Sequence, residues 1–264
     1  MNTTPRYLLP LLLLAFCLQA CSSATPQDAQ GEAGAPLGAS VQKMLPSQVL
    51  ALTDWKLNVP VSGANGWSLE VKQPELAAYS HADYFHVSAK GDAVVFRAPV
   101  EGVTTSGSKY PRSELREMTN GGRDKADWDI SSGGGTHVME ITQAVTHLPN
   151  VKPHVVVGQI HDASDDVIIF RLEGRKLWVD HNGTKGTLLT DHYDLGTKFT
   201  VKFVAGEGRV DSYYNGTLME TYAVHAEHCY FKAGMYTQSN LSRGDQAGAY
   251  GEVEIYQVAI SHNE

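Results

Sequence analysis

Three short segments of this chain combine residue types that can bind a carboxylate and move protons beside it. Alternate residues of a strand point to the same face of a sheet, so each segment is predicted to present its polar side chains together. Gly234, which has no side chain, is expected to leave room for a ligand on that face. The polar set is Arg112, Glu114 and Arg116 in the first segment, Gln159 and His161 in the second, and Lys232, Tyr236 and Gln238 in the third. On neighbouring strands, these cations could neutralise an acidic ligand next to an imidazole and a phenol that exchange protons.

Several other chemistries are disfavoured by the same residues. Taken alone, the alternation over 112–116 is typical of a charge ladder on a solvent-facing strand, but two further polar strands favour a site. A catalytic metal is not expected, because His161 has no close carboxylate or imidazole companion and no Cys-x-x-Cys or His-Glu-x-x-His spacing occurs. Gly-x-Ser-x-Gly is absent, and Ser113 is predicted to face away from the arginines. No strand of alternating carboxylates supplies the acid pair that glycoside hydrolysis uses.

The pattern along the chain predicts an all-β domain. Asn182-Gly183 and Asn215-Gly216 predict hairpin turns, since a type I′ turn needs positive φ at both central residues. Beyond the tether, the only short candidates for helical periodicity are 47–52 and 75–79. Many short strands with few helices predict two packed antiparallel sheets. The segments rich in β-branched and aromatic residues that predict strands are 93–97, 136–141, 155–161, 167–172, 176–180, 186–189, 199–204, 209–214 and 251–260.

The N-terminus has the features of an export signal. Arg6 precedes an apolar run over 7–18, which is too short for a membrane span. The run is followed by Gln19-Ala20-Cys21, an ending that resembles a bacterial lipobox, in which the cysteine is lipidated and becomes the first mature residue. An ordinary cleaved signal is the alternative. We therefore predict a lipoprotein signal peptide at 1–20, a lipid-anchored flexible tether at 21–45 and one domain at 46–264.

Cysteine use and charge limit the partners. Cys17 lies in the signal and Cys21 would hold lipid, so Cys229 has no partner for a disulfide in the mature chain. Cys229 is predicted to face the core as a small hydrophobe with a raised thiol pKa. The formal net charge is -8 without a Lys/Arg block, so nucleic acid is not an expected partner. We predict an exported monomer held at the outer membrane or cell surface, or released outside the cell.

The three segments resemble those of the alginate lyases of polysaccharide lyase family seven. The matching motifs are R-S-E-L-R at 112–116, Q-I-H at 159–161 and Y-F-K-A-G-M-Y-T-Q at 230–238, in the expected order. Residues 55–60, W-K-L-N-V-P, resemble the opening strand of that family. The resemblance implies a concanavalin-like jelly roll whose concave sheet forms a groove for alginate, a polymer of mannuronate and guluronate. It also implies β-elimination without a metal or another cofactor.

The resemblance also implies a role for each residue. Arg112 and Gln159 would neutralise the C6 carboxylate, His161 would act as general base, and Tyr236 would act as general acid. Glu114 would orient the two arginines, while neighbouring sugars would be held by Arg116, Lys232 and Gln238. In this family Gln-Ile-His tends to accompany activity on guluronate, so Ile160 favours guluronate-containing blocks. A noncatalytic glycan-binding jelly roll and a lyase acting on another uronate polymer, such as a glucuronan, are the alternatives.

Overall fold

The computed structural model describes residues 43–263, which form strands joined by short connections. Within that range the helical elements are three 3₁₀ turns, at Pro46–Gln48, Glu75–Ala78 and Leu241–Arg243. The strands are β1 (Trp55–Ser62), β2 (Ser68–Val71), β3 (Phe85–Val87), β4 (Val94–Pro99), β5 (Arg112–Thr119), β6 (Asp124–Lys125), β7 (Trp128–Ile130), β8 (Thr136–His147), β9 (His154–His161), β10 (Asp166–Glu173), β11 (Lys176–His181), β12 (Thr184–Thr190), β13 (Phe199–Gly206), β14 (Arg209–Tyr214), β15 (Thr217–Ala223), β16 (Ala226–Thr237) and β17 (Tyr250–Asn263).

The strands form two antiparallel sheets. The larger has ten strands in the order β12-β11-β10-β9-β16-β5-β1-β2, with β6 beside β5 and β7 beside β16. The smaller has seven strands in the order β15-β14-β13-β8-β17-β4-β3. The predicted all-β jelly-roll sandwich is confirmed. Because β16 lies between β9 and β5, segments that are far apart in sequence become neighbours.

The core lies between the two sheets and is built from alternating strand residues. Phe170 of β10 stacks on Phe203 of β13, with ring centroids 4.1 Å apart and planes 10° apart. Leu115, Ile160 and Met235 are each 0 % exposed. The apolar side chains of the three functional segments therefore pack into the core, as the alternation predicts, and their polar side chains point to the other face.

The two Asn-Gly turns are confirmed. Asn182 and Gly183 have φ of 45° and 85° between β11 and β12, and Asn215 and Gly216 have 48° and 81° between β14 and β15. These are the positive values that a type I′ turn requires.

Cys229 is a free thiol in the core, as predicted. It is 0 % exposed, and burial raises its pKa to about 12. The predicted signal peptide, Cys21 and most of the tether lie outside the described residues. The part of the chain that the structure describes includes no helix with the length and hydropathy needed to cross a bilayer.

Candidate active site

The three polar segments lie on adjacent strands of the larger sheet. Lys232 of β16 pairs with Arg116 of β5 on one side and with Gln159 of β9 on the other. Tyr236 pairs with Arg112 in the same register. Directly paired residues project to the same face of a sheet. The structure therefore brings the predicted cations, amide and phenol onto one surface.

Glu114 is the centre of this surface. It is 1 % exposed, and its Oε2 accepts from Arg112 Nη1 at 2.9 Å and from Lys232 Nζ at 2.6 Å. Its Oε1 accepts from Gln159 Nε2. Burial alone would raise the pKa of Glu114, but the charges of Lys232 and Arg112 and the hydrogen bonds from Lys232 and Gln159 outweigh it and hold the pKa below its ordinary value. Glu114 is therefore an ionised acceptor that fixes three donors.

One predicted contact of Glu114 is wrong. The sequence led us to expect that Glu114 orients both arginines, but among the described residues Arg116 is not one of its partners. The Arg116 guanidinium instead lies over the ring of Tyr230, with its Cζ 3.8 Å from the ring centroid. The ammonium of Lys232, on the adjacent strand, takes the second position on the Glu114 carboxylate.

The floor of the site has a net positive charge. Arg112 and Lys232 are 7 % and 6 % exposed, so two buried cations face one buried carboxylate. Arg112 Nε is buried and has no hydrogen-bond partner among the described residues. Burial and the nearby charge of Arg112 lower the pKa of Lys232 to about 8. An anionic ligand would relieve this excess of positive charge.

His161 is half-buried and held by two contacts at one ring nitrogen. Its Nδ1 lies 2.8 Å from the backbone oxygen of Asp162 and 3.1 Å from the hydroxyl of Tyr230. Because a carbonyl only accepts, the neutral ring is assigned its proton on Nδ1, which leaves Nε2 as the basic nitrogen. Burial, followed by the charge of Lys232, lowers the pKa of His161. The imidazole is thus neutral at neutral pH and can accept a proton.

The pKa of Tyr236 is shifted in the opposite direction to that of His161. Its ring lies under the Arg112 guanidinium, 3.9 Å from Cζ to the centroid, and its hydroxyl is 3.1 Å from Ser108 Oγ. Burial raises the pKa of Tyr236, and the charge of Arg112 and the hydrogen bond to Ser108 oppose this only in part. The phenol therefore stays protonated and can donate.

Gln238 is half-buried and directly follows the last residue of β16. Its backbone N–H donates to the His154 carbonyl at 3.0 Å.

Gly234 does not open a gap on the polar face, contrary to the expectation from its missing side chain. Its φ is +139°, and a Cβ built there would lie 2.6 Å from the Ser113 carbonyl oxygen and 2.8 Å from Glu114 Cα. It would also lie 3.1 Å from Phe96 Cδ1, in the core. The glycine is needed because β16 and β5 approach closely there.

Ile160 faces the core, as the alternation predicts. It is 0 % exposed and pairs with Ile168 and Phe231 in the sheet. Any influence of this position on sugar preference must therefore act through the placement of its neighbours, Gln159 and His161.

Two residues near the reacting groups were not assigned a role from the sequence. The Tyr230 ring lies between the His161 ring, at 5.2 Å between centroids, and the Arg116 guanidinium. Its position two residues before Lys232 was the available signal, because both then share a face. Ser108, by contrast, belongs to an irregular loop, and no periodicity marks its contact with Tyr236.

One end of the polar face continues into a cleft. The cleft is bordered by the segment 125–127, by Asp162 and by His228, and it joins the face at Arg116 and Tyr230. Residues 43–263 contain no group of three or more His, Cys, Asp or Glu side chains that could hold a metal ion.

Comparisons with known proteins identify the class to which this fold and site belong. A family model described as alginate lyase matches residues 50–262, so the chain belongs to the alginate lyase family. An alginate lyase of Klebsiella pneumoniae is 28% identical over 286 aligned positions, which cover 82% of this chain and 91% of that protein.

Two solved structures of alginate lyases are more similar in sequence to this chain. Alginate lyase AlgAT5 of polysaccharide lyase family 7 is 56% identical with a TM-score of 0.81, over 84% of this chain and 100% of that one. The alginate lyase of a Corynebacterium species is 48% identical with a TM-score of 0.79, over 83% of this chain and 98% of that one. The protein is therefore a polysaccharide lyase of family seven that acts on alginate, which confirms the predicted family and enzyme class.

Proposed function

We propose that the protein cleaves alginate by β-elimination at the 4-O-glycosidic bond, and that Arg112, Gln159, His161 and Tyr236 perform the reaction. The observation that supports this most strongly is the cluster around Glu114, where one buried carboxylate aligns two cations and an amide beside an imidazole and a phenol. A net positive floor is what a uronate carboxylate needs, because removal of the C5 proton adds negative charge next to it.

Each bond change has a residue suited to it. His161 Nε2 takes the C5 proton, and the electrons of the C5–H bond form a double bond between C4 and C5. The C4–O4 bond breaks, and the departing oxygen takes the proton of Tyr236. Arg112, with its planar fork, and Gln159, whose amide has a second N–H beyond the one given to Glu114, stabilise the charge that spreads onto the carboxylate.

Glu114 is a positioning residue in this scheme, because its oxygens are already occupied and it is almost fully buried. Arg116, Lys232 and Gln238 are assigned to the binding of sugar units. Arg116 is half-buried at the end of the polar face that joins the cleft, which suits contact with a sugar next to the reacting one. No step of this scheme uses a metal or another cofactor.

The proposed preference is for guluronate-containing blocks. In guluronate the C5 proton and O4 project from opposite faces of the ring, so elimination needs a base and an acid on separate residues. The pKa of His161 is lowered and that of Tyr236 is raised, which divides the two roles between them. In mannuronate the two groups share a face, and one residue could serve both.

The test follows the ultraviolet absorbance of the unsaturated uronate end, on polyguluronate and polymannuronate separately. We expect His161→Ala and Tyr236→Phe to lose about 10²–10⁴-fold in kcat. Arg112→Ala should lose about 10²–10³-fold, because it removes a charge partner of the transition state. Polyguluronate should be cleaved faster than polymannuronate by the wild type.

Arg209→Ala is the matched control, since Arg209 is an exposed arginine on β14 of the other sheet and should leave the rate unchanged. Thermal unfolding of each variant separates lost chemistry from lost fold. Near-normal turnover of Arg112→Ala would remove this residue from the mechanism, and depolymerisation without new absorbance would exclude elimination. A faster rate on polymannuronate than on polyguluronate would contradict the block preference. A faster rate on glucuronan than on either alginate polymer would show that glucuronan is the preferred substrate.

We also propose that the enzyme is exported and held at a membrane by lipid on Cys21, with the residues up to about 45 as a tether. The support is the apolar run that ends in Leu18-Gln19-Ala20-Cys21. When the full chain is expressed in a bacterium that lipidates such signals, Cys21→Ser should move the enzyme from the detergent phase of a phase-separation extract to the aqueous phase. Equal partition of both forms would exclude the anchor.

A further inference from the structure

The loop between β4 and β5, residues 100–111, reaches the phenol of Tyr236. Ser108 Oγ lies 3.1 Å from the Tyr236 hydroxyl, although the two residues are 128 positions apart. Ser108 is half-buried, while its neighbours Ser106 and Gly107 are exposed. The serine is thus the residue of this exposed stretch whose side chain turns inward to the reacting group.

Ser108 has one proton and two neighbours that can receive it. Its Oγ donates to the Tyr110 backbone oxygen at 3.0 Å and accepts from the Tyr110 backbone N–H at 3.1 Å. While the Ser108 O–H donates to the Tyr110 carbonyl, Ser108 Oγ can only accept from Tyr236, which fixes the position of the phenol oxygen until a substrate oxygen takes that O–H. When Tyr236 loses its proton, its oxygen needs a donor, and a rotation of the Ser108 hydroxyl supplies one.

The loop is fastened firmly enough to hold the serine in place. Asn240 Nδ2 donates to the Lys109 carbonyl at 2.9 Å, and Arg243 Nε donates to the Tyr110 hydroxyl at 3.1 Å. The Tyr110 ring meets the Tyr236 ring edge to face, with centroids 6.3 Å apart. The segment 240–243 and the Tyr236 ring, both distant in sequence from the loop, therefore fix the position from which Ser108 contacts the phenol.

We propose that Ser108 is a positioning residue for Tyr236, which holds the phenol oxygen in place before elimination and donates a hydrogen bond to the phenolate that forms when the phenol proton passes to O4. The Ser108 O–H turns from the Tyr110 carbonyl to the Tyr236 oxygen as the phenol proton moves to O4, and it turns back when Tyr236 is reprotonated from solvent, so the Ser108 O–H bond is never broken. This inference rests on the proposed role of Tyr236 as general acid. The hydrogen bond from Ser108 favours the ionised phenol, in line with its opposition to the raised pKa of Tyr236.

The experiment compares Ser108→Ala, Ser108→Thr and the control Ser106→Ala in the full-length protein on polyguluronate. Ser108→Ala should lower kcat by about 10- to 100-fold, the value of a lost hydrogen bond to a charged group, with little change in KM. Ser108→Thr keeps the hydroxyl and should restore most of the rate. Ser106→Ala should match the wild type.

A double variant distinguishes this inference from the proposed function. If Ser108 acts through Tyr236, then Ser108→Ala added to Tyr236→Phe should cause no further loss. An unchanged kcat in Ser108→Ala would overturn the inference, and so would a further loss in the double variant or a defect that threonine does not rescue. If Tyr236→Phe alone retained the wild-type rate, the general-acid role would fail first, and the inference about Ser108 would fail with it.

Discussion

At the level of single residues, the site holds two buried cations close together around one carboxylate. A bare cluster of cations would repel itself when buried, and burial of one carboxylate among them lowers that cost. Glu114 does this while using both of its oxygens, so it does not compete as a free anion with the substrate carboxylate. The remaining positive charge is then available to the uronate.

The pH profile should show the lowered pKa of His161. An unperturbed histidine titrates near 6.5, and burial together with the charge of Lys232 moves His161 below that value. As pH falls through about 6.5 the base therefore stays neutral, and the acidic limb of kcat/KM should lie at a lower pH than that. Initial rates on polyguluronate across the acidic range measure it.

Lys232→Gln tests whether the charge of Lys232 contributes to the lowered pKa of His161. It removes a positive charge that lowers the pKa of His161 and leaves the negative charge of Glu114, which raises it, so the limb should move to higher pH. The absolute rate should fall as well, but the position of the limb is the informative quantity. A limb that stays in place, or moves to lower pH, would show that His161 is not the titrating base.

Strand parity predicted which residues share the reactive face, and the sheet pairing agrees for Arg112, Arg116, Gln159, Lys232 and Tyr236. It could not predict that Lys232, and not Arg116, would pair with Glu114, because that depends on how long side chains turn above the sheet.

At the scale of elements, β16 decides the geometry of the site. Its register with β5 is unbroken from Lys232 to Tyr236, whereas its register with β9 shifts over the same residues. Lys232 consequently faces Gln159, but Tyr236 faces Val156. Gly234 lies within this stretch at φ +139°, a conformation that residues with a side chain rarely adopt.

The sequence predicted most strands but not their order. Alternation and Asn-Gly turns are local signals, and they located β11 with β12 and the turn between β14 and β15. The insertion of β16 between β9 and β5 is a long-range pairing that no local pattern encodes. The strands β6 and β7 were not predicted, because they are only 2 and 3 residues long and too short for a periodic signal.

At the scale of the whole molecule, the larger sheet separates function from stability across its thickness. One face presents Arg112, His161 and Tyr236, and the other packs Leu115, Ile160 and Met235 against the second sheet. The rigidity of the site therefore depends on contacts between sheets that no substrate touches.

Phe170 on β10 provides a test of this separation, because its ring stacks on Phe203 of the opposite sheet at 4.1 Å. Phe170→Ala should lower the free energy of unfolding by about 3–5 kcal/mol through lost burial and the cavity left behind. For a domain of this size that corresponds to a fall in Tm of roughly 6–20 °C. Phe170→Leu should lose less free energy of unfolding, and both variants should keep near-normal kcat/KM well below their Tm.

The opposite pattern is expected for Arg112→Ala, which should retain most of its Tm while losing turnover. If Phe170→Ala abolished activity at temperatures where it remains folded, the two faces of the sheet would be coupled, and the polar face would depend on the fine packing beneath it as well as on its own hydrogen bonds.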